Sequence, residues 1–272
     1  MVVVESAGLT DVGKKRKSNE DSLFFDDELK IYVVADGMGG HQAGEVASGL
    51  VVKTIQDYMQ RFRNNADAEE LAEVDQTLSK DANRLVSSIH LSNRVVFQMS
   101  NNRASYEGMG STVSAVLFTD DTVIATNVGD SPIYLIRNDS IQNLAVTHTV
   151  LAEQMALHPE GGQQLGGKFS HMLTRAMGIE RTVEPDACEL PCFPGDILVL
   201  ASDGLSDMLA PEEVRRVVQA HRPAVACRKL VDMANERGGD DNITVIVLKI
   251  KQVGQPGGGI TGWLARLFKP AT

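Results

Sequence analysis

Ile31-Tyr32-Val33-Val34-Ala35-Asp36-Gly37-Met38-Gly39-Gly40 is the stretch on which the reading of this chain turns. Its first five residues are apolar and read as a buried strand. That strand runs into a carboxylate followed by glycine, a poor choice unless the charge is needed. A glycine beside the acid lets backbone or a ligand approach closely. Two distant stretches repeat the theme. Leu198-Val199-Leu200-Ala201-Ser202-Asp203-Gly204 again runs an apolar strand into Asp-Gly, and Gly239-Asp240-Asp241-Asn242-Ile243-Thr244-Val245 places Asp241 just ahead of one. Three carboxylates delivered at strand ends point to one shared site on a rigid scaffold. Hard oxygen ligands, with no His or Cys in these stretches, suit magnesium or manganese better than zinc.

Around these stretches, short β-rich runs recur at 2–4, 22–25, 31–35, 112–118, 123–128, 133–137, 197–201 and 243–250. Turn-like pairs such as Asp26-Asp27, Asp120-Asp121 and Asn138-Asp139 predict hairpin connections and antiparallel pairing. Helical spacing of apolar residues predicts a helix over 43–62 and a helix or helix pair over 67–100. Pro211 with Glu212 and Glu213 starts a third helix over 211–220, and a fourth, 223–237, stops at Gly238-Gly239. This order fits an α+β fold in which sheets pack on each other with helices outside, and not a parallel βαβ array. One domain is expected over 1–252, a Gly-rich linker over 253–259, and a short amphipathic tail over 260–272, where Trp263, Leu264, Leu267 and Phe268 share a helical face.

The 272 residues are 43% hydrophobic and 23% charged, enough for a sizeable core. A formal charge of −10 argues against a nucleic-acid binder, which needs a basic face. Cys188, Cys192 and Cys227 are odd in number and read as thiols in a reducing compartment. The N-terminal stretch lacks the features of a secretory leader, and no apolar run approaches the roughly 20 residues of a membrane span. A cytoplasmic, monomeric protein with no membrane span is expected.

Arg16-Lys17-Ser18-Asn19-Glu20-Asp21 leads into the strand at 22–25. Arg16 is open to two readings: a surface ion pair, or a guanidinium aimed at a phosphoryl group, which Arg binds bidentately. Six further stretches follow in order: Asp36-Gly37-Met38-Gly39-Gly40-His41 with Gly44-Glu45, Gly108-Met109-Gly110-Ser111-Thr112, Asn127-Val128-Gly129-Asp130-Ser131, Leu173-Thr174-Arg175-Ala176-Met177-Gly178, Ser202-Asp203-Gly204-Leu205 and Asp240-Asp241-Asn242-Ile243-Thr244. Together the seven resemble the motif series of the metal-dependent, type 2C (PPM) serine/threonine protein phosphatases, the bacterial branch above all. The resemblance spans about residues 5–250.

That resemblance implies an αββα sandwich, two central antiparallel sheets flanked by helix pairs. It also implies hydrolysis of phosphoserine and phosphothreonine in proteins by a water activated by two Mn²⁺ or Mg²⁺ ions, opposing a serine/threonine kinase. Carried over by position, Asp36 bridges both metals, the Gly37 carbonyl serves one, and Asp203 with Asp241 the other. Glu20 and Asp21 hold bound water or support the ligands from behind, and Arg16 takes phosphate oxygens. His41 is either the general acid or a structural histidine. Glu107 stands where a third metal's ligand is expected, with a longer side chain than the family's aspartate. Asp130 reads as a structural turn acid, and Pro132 stands where the family carries arginine. The stretch 148–170 corresponds to a flap beside the active site. The rival reading is a catalytically weak PPM-fold module that binds or regulates phosphoproteins; the retained Asp36, Asp203, Asp241 and Arg16 argue against it. A magnesium-dependent nucleotide hydrolase would need a phosphate loop that this chain lacks.

Overall fold

The computed structural model describes residues 1–39, 43–64, 75–157 and 172–254. Strands β1 (Val3–Asp11), β2 (Asp21–Asp26) and β3 (Ile31–Met38) come first, then helices α1 (Ala43–Asn64) and α2 (Lys80–Asn102). After a 3₁₀ turn at Ala104–Tyr106 follow β4 (Gly110–Ser111), β5 (Val113–Phe118), β6 (Thr122–Val128), β7 (Ile133–Arg137), β8 (Ser140–Asn143) and α3 (Val150–Leu157). The chain continues with β9 (Asp186–Pro191), β10 (Ile197–Ala201), α4 (Asp203–Ser206), α5 (Pro211–Ala220), α6 (Pro223–Glu236) and β11 (Ile243–Gln252).

One sheet has the order β1-β11-β10-β7-β8, the other β2-β3-β5-β6-β9 with β4 beside β3, and every ladder is antiparallel. The strand residues explain the layering. On β3, Ile31, Val33 and Ala35 pack with Val51 and Ile55 of α1 and Leu85 and Ile89 of α2. The alternate residues Tyr32 and Val34 meet Leu198, Leu200, Ile246 and Leu248 of the facing sheet. That sheet turns Val199, Val245 and Val247 to Val214 and Val218 of α5 and Leu230 of α6. Both faces of each sheet are covered, so the central strands are apolar throughout and do not alternate with polar residues. The expected α+β sandwich, with a helix pair on each outer face, is the observed architecture.

Boundaries differ where the local signal was weak. Of the helix or helix pair expected over 67–100, the described part is one helix from Lys80, capped by the Ser79 side chain; residues 65–74 lie outside the described residues. The hairpin at Asn138-Asp139 forms as read, with φ of 48° and 60° suited to a tight two-residue turn, and it adds β8, which was not expected. Strand β9 was also not expected: Asp186–Pro191 has no apolar run, and its pairing with β6 is what makes it a strand. Within the stretch read as a flap, Val150–Leu157 is helical; 158–171 lies outside the described residues, as do His41 and the tail. The cysteines are free thiols, two of them buried. No described helix is long and apolar enough to cross a membrane.

Candidate active site

Strand register brings the sequence-predicted acids to one end of the sandwich. Asp21, first in β2, is the register partner of Asp36 near the end of β3. Across the other sheet, β10 ends at Ala201, paired with Val245, so Asp203 follows where β11 begins and Asp241 precedes it. A cleft of about 460 Å³ opens there, lined by Arg16, Glu20, Asp36, Gly37, Asp130, Asp203 and Asp241 together with Thr112, Leu173, Thr174, Ala176 and Ile179.

Hydrogen bonds fix these groups from behind. The Asp36 N–H donates to Thr112 Oγ1 over 3.0 Å, and the Asp36 carbonyl accepts from Thr112 N–H and from Ser111 Oγ. Ser202, fully buried, donates from Oγ to Asp21 Oδ2 over 2.8 Å and accepts the Thr244 N–H over 2.9 Å, tying β10 and β11 to β2. Asn242 is the clasp of the Arg16 loop. Its Oδ1 accepts from the Glu20 N–H, and its Nδ2 donates to the carbonyls of Val12 and Ser18, each within 2.9 Å. Close backbone approach does the rest. A Cβ on Gly37 would collide with the Gly44 carbonyl, and one on Gly44 would come within 2.8 Å of the Glu20 carboxyl carbon. The start of α1 therefore packs directly on the acid-bearing strand, which no side chain larger than glycine permits.

The electrostatics are those of crowded acids. Burial first, then the charges of Asp21 and Asp203 and a hydrogen bond with Asp203, push the Asp36 carboxyl well above the usual carboxylate range. Burial likewise lifts Asp21 to about 7, against the hydroxyls of Thr244 and Ser202, which lower it. Asp21 Oδ1 is buried with no hydrogen-bond partner. Burial also raises Glu20. Arg16 Nη2 meets Asp241 Oδ2 at 2.6 Å, and Asp241 Oδ1 accepts the Asn242 N–H. Among the described residues no three His, Cys, Asp or Glu are drawn together tightly enough to stand as a ready-made metal cage. The donors are nevertheless all oxygen, partly orphaned and mutually repelling, and that fits hard divalent cations, which would relieve the repulsion.

Not every predicted site residue comes to this cleft. Glu107 is exposed at the end of the 3₁₀ turn and lines a neighbouring cleft with Ser100, Gly108 and Ile179. Asp130, read from sequence as a turn acid, sits in the turn after β6 and also lines the acidic cleft. Sequence reasoning gave Ser202, Thr112 and Asn242 no role. Their positions within Ser-Asp-Gly, Gly-Ser-Thr and Asp-Asn stretches were the available signal.

The sequence profile of the protein phosphatase 2C family matches residues 13–237. This chain belongs to that family. The serine/threonine phosphatase stp of Listeria innocua is 32% identical over 245 residues, covering 88% of this chain and 93% of that protein. Protein phosphatase PhpP of Streptococcus pneumoniae is 30% identical over 256 residues, covering 92% and 98%. Among solved structures, the catalytic domain of the serine/threonine protein phosphatase PstP in complex with two manganese ions superposes with a TM-score of 0.77 at 28% identity, covering 93% of this chain and all of that one. The chain is a protein phosphatase of this bacterial PPM type, and its acidic cleft lies where the strand ends of the sandwich meet.

Proposed function

We propose that this phosphatase hydrolyses phosphoserine and phosphothreonine in protein substrates with Mn²⁺ or Mg²⁺ bound in the acidic cleft, opposing a serine/threonine kinase. The observation that carries the reading is the gathering of Asp36, Asp203, Asp241 and Arg16 around one cleft from four distant parts of the chain. Asp36 would serve both ions, the Gly37 carbonyl one of them, and Asp203 with Asp241 the other. Glu20 and Asp21 would act through bound water. Bound divalent ions supply an activated water and take up charge on the phosphoryl oxygens. Asp130, which reaches the cleft, is a better candidate than Glu107 for holding a third ion.

The side chains divide the remaining work. Arg16, half-exposed at the rim, is placed to bind phosphate oxygens with its planar fork. Asn242 keeps the Arg16 loop against Asp241, which sets the distance between phosphate and metal ligands. Thr112 and Ser111 hold the Asp36 peptide, so that its carboxylate is oriented before substrate arrives. Leu173, Ala176 and Ile179 give the cleft an apolar wall for the substrate chain. The placement is cytoplasmic and the working unit a monomer in this reading. The test is hydrolysis of a phosphothreonine peptide and of p-nitrophenyl phosphate with and without Mn²⁺ and EDTA. Turnover that needs Mn²⁺ and stops with EDTA is expected; absent or metal-independent turnover would overturn the proposal.

A further inference from the structure

His148 has no part in the acid cluster, yet it is only 1% exposed and held at both ring nitrogens. The Gly129 N–H donates to Nδ1 over 3.0 Å. The neutral ring therefore carries its proton on Nε2, which donates to Asp186 Oδ2 over 2.7 Å. Arg175 Nη1 donates to the same Oδ2 over 2.9 Å; its 3.3 Å approach to Nε2 is a contact between two donors. Burial holds the imidazole below its ordinary pKa; Arg175 acts in the same direction, while Asp186 and Glu153 oppose it.

The backbone completes the grip. His148 N–H donates to the Gly129 carbonyl, and Thr174 N–H donates to the His148 carbonyl, each over 3.0 Å. One residue thus holds both polar groups of Gly129, whose φ is +105°. A Cβ there would meet Thr112 Cγ2 at 2.6 Å. Thr112 is the residue that receives the Asp36 N–H, and its hydroxyl also pairs with Ser131. Asp130 stands between Gly129 and Ser131 and lines the cleft, as does Thr174. A leucine would fill the space occupied by His148 without a polar ring to desolvate. What the imidazole adds is an acceptor for a peptide N–H just beyond the end of β6, in a tautomer fixed by Asp186.

We propose that His148, oriented by Asp186, is a positioning residue that sets the Gly129 peptide and hence the reach of the Asp130 carboxylate into the catalytic cleft. The inference rests on the phosphatase reading for its kinetic consequence, though not for its geometry.

Two variants of the full chain separate the nitrogens. His148→Asn keeps an acceptor near the Nδ1 position; His148→Gln keeps a donor near Nε2 and loses that acceptor. With p-nitrophenyl phosphate and Mn²⁺, His148→Gln is expected to lower kcat about tenfold with little change in KM, as for one lost hydrogen bond to a working group. His148→Asn should stay within about threefold of wild type while losing similar thermal stability. Equal kcat losses, or losses that merely follow the fall in Tm, would make His148 structural and overturn the proposal. The imidazole ¹⁵N spectrum of the wild-type protein should show the Nε2–H tautomer, and an Nδ1–H ring would also overturn it. An inactive wild type would sink the phosphatase reading instead. The Gly129 amide resonance then decides: displaced in His148→Gln and restored in His148→Asn supports the positioning role, and no difference refutes it.

Discussion

Asp21, buried at the head of β2, and Asp36 are register partners across β2 and β3. Burial, with the charge of Asp21 next, raises the proton affinity of Asp36, while burial and the charges of Asp203 and Asp241 raise that of Asp21. Asp21 titrates near 7 in the fold, against an ordinary value of 3.8. Between those values the folded chain binds more protons than the unfolded one, so this group adds stability as pH falls from 7 towards 4. The same stability is lost as pH rises through 7. In EDTA, the melting temperature is expected to climb from pH 8 to pH 6, and Asp21→Asn should flatten that climb. A melting temperature that falls over this range in wild type, or an unchanged slope in Asp21→Asn, would contradict the assignment.

Replacing Asp203 or Asp241 by Asn removes one negative charge from the cluster at nearly constant shape. Phosphatase turnover should fall by two orders of magnitude or more, about the loss that follows removal of a preorganised charged group. Mn²⁺ binding measured by calorimetry should weaken, and circular dichroism should show an unchanged fold. Normal turnover with normal Mn²⁺ affinity would remove either residue from the ligand set.

The central strands and α1, α5 and α6 were legible because burial on both faces leaves unbroken apolar runs, and because Pro211 and Gly238-Gly239 mark helix ends. Strand β9 was not legible: Asp186–Pro191 is half-buried and polar-rich, and only its partner β6 makes it a strand. Asp36, Asp203 and Asp241 could be picked out because an acid at the end of an apolar strand conflicts with its surroundings. Asp130 and Glu107 could not be ranked that way. Both sit near glycines in polar turns, and only the folded chain shows that Asp130 lines the cleft while Glu107 lies beside another.

Ser202→Ala should destabilise the protein by about 1–3 kcal/mol, because it leaves the Thr244 N–H and an Asp21 oxygen buried without their shared hydroxyl. Urea denaturation in EDTA measures this directly. The loss should be larger at pH 8 than at pH 6, since ionised Asp21 needs the hydroxyl more than the protonated form does. A loss that does not depend on pH would show that Ser202 serves only the backbone.

Arg16→Lys tests whether the guanidinium serves the phosphate or only its ion pair. Arg16 contacts Asp241 Oδ2 at 2.6 Å while half its side chain faces solvent, so its fork has donors left for a ligand. Lysine keeps the charge but offers a point donor on a flexible stem, without the planar pair that matches two phosphate oxygens. Loss of one charge-assisted hydrogen bond predicts a fall in kcat/KM of about tenfold to hundredfold for a phosphothreonine peptide. Inorganic phosphate should inhibit the variant more weakly than wild type, because product and substrate share those oxygens. An unchanged kcat/KM, with phosphate inhibition intact, would leave Arg16 as the ion-pair partner of Asp241 and nothing more.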